Sequence, residues 1–105
     1  MATLDLNKLM NDIAYAAAVA VMYDEVEDGG SCNFDTPIVE LTLTKKQRVA
    51  VAEFLTPIGM RGYKNCYFVE VPLYGQGNRR TRMAEAAAEA LRKEGYKASV
   101  YYQLD

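Results

Sequence analysis

The segment Gly75-Gln76-Gly77-Asn78-Arg79-Arg80-Thr81-Arg82 places three arginines at the first turn of a predicted helix, directly after a glycine-containing loop. A helix N-terminus carries about half a positive charge and unpaired N–H donors, so a cation there is disfavoured by about 0.3–1 kcal/mol and an anion is welcome. The chemistry that suits this pattern is capture of a phosphate-like group. Gly75 and Gly77 allow the backbone a close approach, Arg79 and Arg80 offer bidentate forks, and Thr81 adds a hydroxyl donor. Gln76, Asn78 and Arg82 complete this candidate ligand-binding set.

A rival explanation lies in the same chain. Asp24, Glu25, Glu27 and Asp28 crowd the expected C-terminal end of the first helix, where acidic groups are equally misplaced, so each cluster can neutralise the other within one subunit or between two. The loop that follows, Gly29 to Asp35, contains Asn33 and Phe34, an amide and a ring suited to reading a base or ribose. Asn33 and Asp35 also serve as turn formers and Phe34 as a core plug. The Gly75-x-Gly77 pair lacks the third glycine and the later acidic residue of a dinucleotide fingerprint, and no Walker A pattern is present. The acidic loop does not have the spacing of a calcium loop, so neither a metal nor a cofactor is expected.

Histidine is absent, which removes Ser-His-Asp and Cys-His machinery and histidine-ligated zinc. Cys32 and Cys66 are too few for a disulfide framework and read as reduced thiols in a cytoplasmic protein. A small enzyme using Cys32 or a carboxylate is the minor alternative to a non-enzymatic binding protein. Net charge is −2 but polarised: residues 1–60 carry 4 basic and 9 acidic side chains, residues 61–105 carry 8 and 5. Six of the eight tyrosines, Tyr63, Tyr67, Tyr74, Tyr96, Tyr101 and Tyr102, lie in the basic half. They suit rim packing, base stacking or a subunit interface. So weak a positive charge makes a long nucleic acid a poor partner.

The elements that must position these groups follow from periodicity. At 105 residues the chain fits a single domain, residues 1–105, with half its residues apolar. Asp5 caps a helix expected to run to about Glu27, apolar nearly all round from Ile13 onward, which calls for cover on more than one side and points to a homo-oligomer. The apolar run Ile13 to Tyr23 is 11 residues, where a membrane span needs about 20, and no secretory signal opens the chain, so no membrane partner is expected. Val39, Leu41 and Leu43 alternate as a strand; Thr44 and Gln47 form a capping box for a helix from Lys45 to Leu55. Tyr67 to Leu73 reads as a second strand, Arg79 to Glu94 as a third helix stopped by Gly95, and Ala98 to Leu104 as a third strand. The expected fold is α/β (α+β) in the order αβαβαβ, with a small three-stranded, mostly parallel or mixed sheet and helices packed on one face.

Three strings, Asp28-Gly-Gly-Ser-Cys-Asn-Phe-Asp35, Gly75-Gln-Gly-Asn-Arg-Arg-Thr-Arg-Met-Ala-Glu-Ala86 and Val100-Tyr-Tyr-Gln-Leu-Asp105, resemble a group of short phage and prophage proteins and span about a quarter of the chain. The resemblance assigns no site. It implies an anti-defence role, since compact phage proteins often act as sponges for nucleotide immune signals or as inhibitors of CRISPR effectors. The leading expectation is a protein that sequesters a nucleotide-like anion at the Gly75 to Arg82 loop, in the host cytoplasm. The alternative is an inhibitor whose Asp24 to Asp28 surface mimics nucleic acid and occupies a host defence protein.

Overall fold

The computed structural model describes residues 4–22, 35–71 and 78–103. Helix α1 spans Leu6–Val21, and the Asp5 carboxylate caps it by accepting from the Asn7 and Lys8 backbone N–H groups. Leu9, Ile13, Ala16 and Ala20 recur at helical spacing and are buried. The described helix runs to Val21, and the expected extension to about Glu27 falls on residues outside those described. Helix α3, Asn78–Lys93, buries Met83, Ala84, Ala86, Ala87, Ala88, Ala90 and Leu91. So many alanines let two neighbours approach it closely: α1 on one side, and on the other the strands β1, Thr36–Glu40, and β4, Lys97–Tyr101.

Two points on the chain decide where α2, Lys45–Ala50, and α3 stop. Helix α2 has the capping box read from the sequence, with Gln47 N–H donating to Thr44 Oγ1 at 3.1 Å and Thr44 N–H to Gln47 Oε1 at 2.9 Å. It covers only Lys45–Ala50, because the buried Val51 leaves the helical region at φ −107°, ψ 13°. Helix α3 ends in a Schellman turn: Tyr96 N–H donates to Leu91 O and Gly95 N–H to Arg92 O, with Gly95 at φ 95°.

The sheet corrects the expectation of three mostly parallel strands. Among the described residues it has four, with β2 at Leu55–Pro57 and β3 at Cys66–Val69, in the order β2-β3-β1-β4, and every pairing is antiparallel. The additional strand β2, Leu55–Pro57, was expected as the end of a helix and the stop beyond it; with α2 finished at Ala50, Leu55 to Pro57 pair with β3, Cys66–Val69. Pro57 has no N–H to donate and is accommodated because β2 is an edge strand. The helices do connect strands that run the same way, but a third strand inserts between each such pair. β3 separates β1 from β2, and β1 separates β3 from β4. This is the connectivity of two split β-α-β units, as in ferredoxin-like folds.

Register assigns the two faces. Val39 opposes both Tyr67 and Ala98, and Leu55 opposes Val69; these five residues share one core with Leu9, Ile13, Met83 and Leu91 of the helices. Helices α1 and α3 thus share a core with one sheet face, whereas α2 buries none of its own residues. Strand β1 starts at Thr36 rather than Val39, and Pro37, Ile38 and Val39 are buried in succession because it is central.

A polar latch fixes α1 against the α3–β4 turn. The Tyr96 hydroxyl donates to Asp12 Oδ2 at 2.6 Å, and Lys8 Nζ reaches the same oxygen at 2.6 Å. Burial pushes the Asp12 carboxyl up, but the hydrogen bonds from Lys8 and Tyr96 and the Lys8 charge outweigh it and hold the group below its ordinary 3.8. Such a group stabilises the fold fully above its unfolded pKa and loses that contribution as pH falls through the folded value. Urea titrations should show the wild type losing more stability than Asp12→Asn on acidification below about pH 4. Tyr96→Phe should cost about 1 kcal/mol at neutral pH. Equal acid sensitivity in wild type and Asp12→Asn would contradict the latch.

Candidate functional site

The first turn of α3 meets the start of β1 at a buried carboxylate. Asp35, only 4% exposed, accepts from the Thr81 hydroxyl at 2.7 Å and from the Gln103 backbone N–H at 2.8 Å. Arg80 Nε donates to the Asp35 carbonyl at 3.0 Å, and its Nη2 lies 3.5 Å from Thr36 Oγ1. Three stretches far apart in sequence are thereby tied at one point: the residue entering β1, the first turn of α3 and the residues leaving β4. A carboxylate beside a helix N-terminus and a guanidinium is the charge arrangement that the arginine-rich turn calls for.

By residue type Asp35 suits a turn and Thr81 a donor to a ligand; the structure joins the two to each other. Of the candidate set, Asn78, Arg79, Arg80, Thr81 and Arg82 all lie on the first turns of α3. Arg82 Nη1 stands 3.7 Å from Glu85, which also accepts from the Tyr102 hydroxyl at 2.8 Å. Gly75, Gln76, Gly77, Asn33 and Phe34 lie outside the described residues. So does the acidic run Asp24, Glu25, Glu27 and Asp28, and with it the question of whether that run meets the arginines.

Beside this junction is an open cleft of about 420 Å³, lined by Thr36, Phe68, Glu70, Val71, Arg80 and Gln103. It sits where the sheet face turned away from the helices runs out towards the start of α3. Register puts Phe68 on that face, opposite Ile38 and Thr56. The Glu70 carboxylate accepts from Thr56 Oγ1 at 2.9 Å, which holds it to the β2 side. The cleft therefore combines an aromatic ring, a guanidinium, a hydroxyl and an amide with one acceptor carboxylate. Phe68, Glu70, Thr36 and Gln103 were not singled out from the sequence, although the alternation of Phe68 and Glu70 against Val69 and Val71 did place the first two on the face away from the core.

Cys66 does not have the environment of a nucleophile. Burial, then the Glu40 charge, push its thiol up, and its Sγ lies 3.6 Å from the Lys64 carbonyl. The thiolate needed for attack is suppressed at neutral pH. Cys32 lies outside the described residues. Among the described residues no cluster of three or more His, Cys, Asp or Glu side chains is placed to hold a metal ion. No described helix is long and apolar enough to cross a membrane.

No protein-family model, curated protein or solved structure matches this chain.

Removing the Asp35 carboxylate leaves the Thr81 hydroxyl and the Gln103 N–H without their acceptor. Asp35→Ala should lower stability by about 3 kcal/mol, and Thr81→Val by about 1–2 kcal/mol, with Thr81→Ser restoring most of the loss. Chemical denaturation measures this directly; an Asp35→Ala variant as stable as wild type would show that the junction contributes nothing.

Proposed function

We propose that this chain is a non-enzymatic binding protein that takes a nucleotide-like anion in the cleft between the open sheet face and the first turn of α3, and that it acts by sequestration. The observation that carries the reading is the presence of Phe68 and Arg80 in the walls of one cleft. A ring for stacking beside a cation for phosphate is what a nucleotide requires, and base–aromatic stacking contributes about 1–3 kcal/mol per base. Thr36 and Gln103 supply donors to sugar or phosphate oxygens, while Glu70 accepts from an exocyclic amine and disfavours a ligand that presents only negative charge.

The Gly75 to Arg82 set remains the phosphate end of this proposal. Arg80 links the two descriptions, because it belongs to the arginine-rich turn and also lines the cleft. Asn33 and Phe34 keep their proposed role towards the base. The resemblance to phage and prophage proteins supports an anti-defence role, in which the bound molecule is a host nucleotide signal captured in the cytoplasm. A homo-oligomer is part of the same reading, supported by the exposed Tyr15 and Val21 of α1 and its C-cap Met22, which is 76% exposed.

Thermal unfolding against mono-, cyclic and ADP-ribose-type nucleotides, with inorganic phosphate as control, tests this. A native-state ligand at 100 times its Kd adds about 2.7 kcal/mol, which raises the midpoint by about 10–20 °C in a domain of this size. The expected result is such a shift with one nucleotide class and none with phosphate, lost in Phe68→Ala while that variant keeps its circular dichroism. No shift with any nucleotide, or an equal shift with phosphate, overturns the reading.

A further inference from the structure

The open face carries more than the cleft. Tyr101 of β4 stands edge-to-face with Phe68, ring centroids 5.7 Å apart at 87°, and with Tyr63, 5.6 Å apart at 65°. Phe68 borders the first cleft, and Tyr63 borders a second cavity of about 390 Å³ that also takes in Ile38, Glu40, Cys66, Lys97 and Ser99. Each cavity lies within the size range of small-molecule sites. The Tyr63–Tyr101–Phe68 row is thus a ridge running from one cavity to the other.

Packing among the rings does not use up this ridge. Two edge-to-face contacts occupy at most two of the six ring faces, and all three rings are only half-buried. Each cavity also has a cation in its wall: Arg80 in the first, Arg92 and Lys97 in the second. Lys97 is tied only loosely to Glu40, at 3.5 Å on an exposed surface. Along β1, Thr36 of the first cavity and Ile38 of the second are two residues apart, about 7 Å in an extended strand. One phosphodiester unit of unstacked single strand covers a spacing of that order.

We propose that the open sheet face is a two-base site, with a second base held at Tyr63 and Tyr101 beside Lys97, so that the ligand class is a phosphodiester-linked dinucleotide. The proposal rests on the nucleotide-binding reading of the first cleft. It limits the ligand to two bases because, among the described residues, two cavities adjoin the ridge, and because the Glu70 and Glu40 carboxylates in their walls oppose the charge of a longer polyanion.

Calorimetric titration with three probes tests this: adenosine monophosphate, the 5′-phosphorylated linear adenine dinucleotide, and a ten-residue oligoadenylate. The dinucleotide should bind about tenfold or more tightly than the mononucleotide. Tyr63→Leu and Lys97→Ala, each checked for retained fold by circular dichroism, should remove that gain and leave mononucleotide affinity unchanged, whereas Phe68→Ala should weaken both probes. Equal affinity for the two short probes, or a Tyr63→Leu variant that loses both equally, overturns the second subsite and leaves the first cleft standing. Tighter binding of the oligoadenylate than of the dinucleotide overturns the two-base limit in favour of single-stranded nucleic acid. Failure of every probe, mononucleotide included, removes the cleft reading itself and the inference with it.

Discussion

The buried carboxylate of Asp35 organises the end of the molecule at which the ligand site is proposed. It accepts from α3 through Thr81 and from the segment after β4 through Gln103, while its own carbonyl accepts from Arg80. A charge taken out of water is stable only when its lone pairs are satisfied, so these contacts fix the entry to β1, the start of α3 and the exit of β4 relative to one another. The cleft is bounded by the same residues, Thr36, Arg80 and Gln103, and takes its shape from that constraint. Its position is a consequence of folding rather than a separate feature laid on a finished surface.

The second constraint is the thinness of α3. Seven buried residues, five of them alanine, let the helix lie against β1 and β4 while α1 closes over its other side. With both long helices committed to one sheet face, the other face is left with Phe68, Tyr101, Ile38 and their polar neighbours. In an antiparallel sheet such a face is normally solvated and polar. Here it holds a row of rings with Arg80, Lys97, Glu40 and Glu70 beside it, and this is the surface on which the ligand site is proposed.

Much of this was legible in the sequence where the signal is local. The Asp5 cap, the Thr44–Gln47 capping box and the Gly95 stop are short-range hydrogen-bonding patterns, and all three occur as the residue types imply. The strand count and direction were not legible, because they are decided by which strands pair. Leu55 to Pro57 carries no alternation long enough to announce a strand, and becomes one only because β3 offers it a partner. Val39, Leu41 and Leu43 do alternate, yet β1 lies further back, drawn by the Asp35 junction and by five-residue pairing with β4. For the site, the arginines of α3 were visible as a charge placed against the helix dipole. Asp35, 45 residues away from Arg80, gave no sign in sequence of being their neighbour.

The central claim is that ligand binding occurs on the open face at the Asp35 junction. Backbone amide NMR of the labelled protein titrated with adenosine monophosphate locates the site without mutation. The account predicts shifts that concentrate at Thr36, Phe68, Glu70, Arg80 and Gln103 and leave Leu9, Ile13 and Ala16 of α1 unmoved. Shifts confined to the exposed α1 face around Tyr15 and Met22, or none at all, would contradict it.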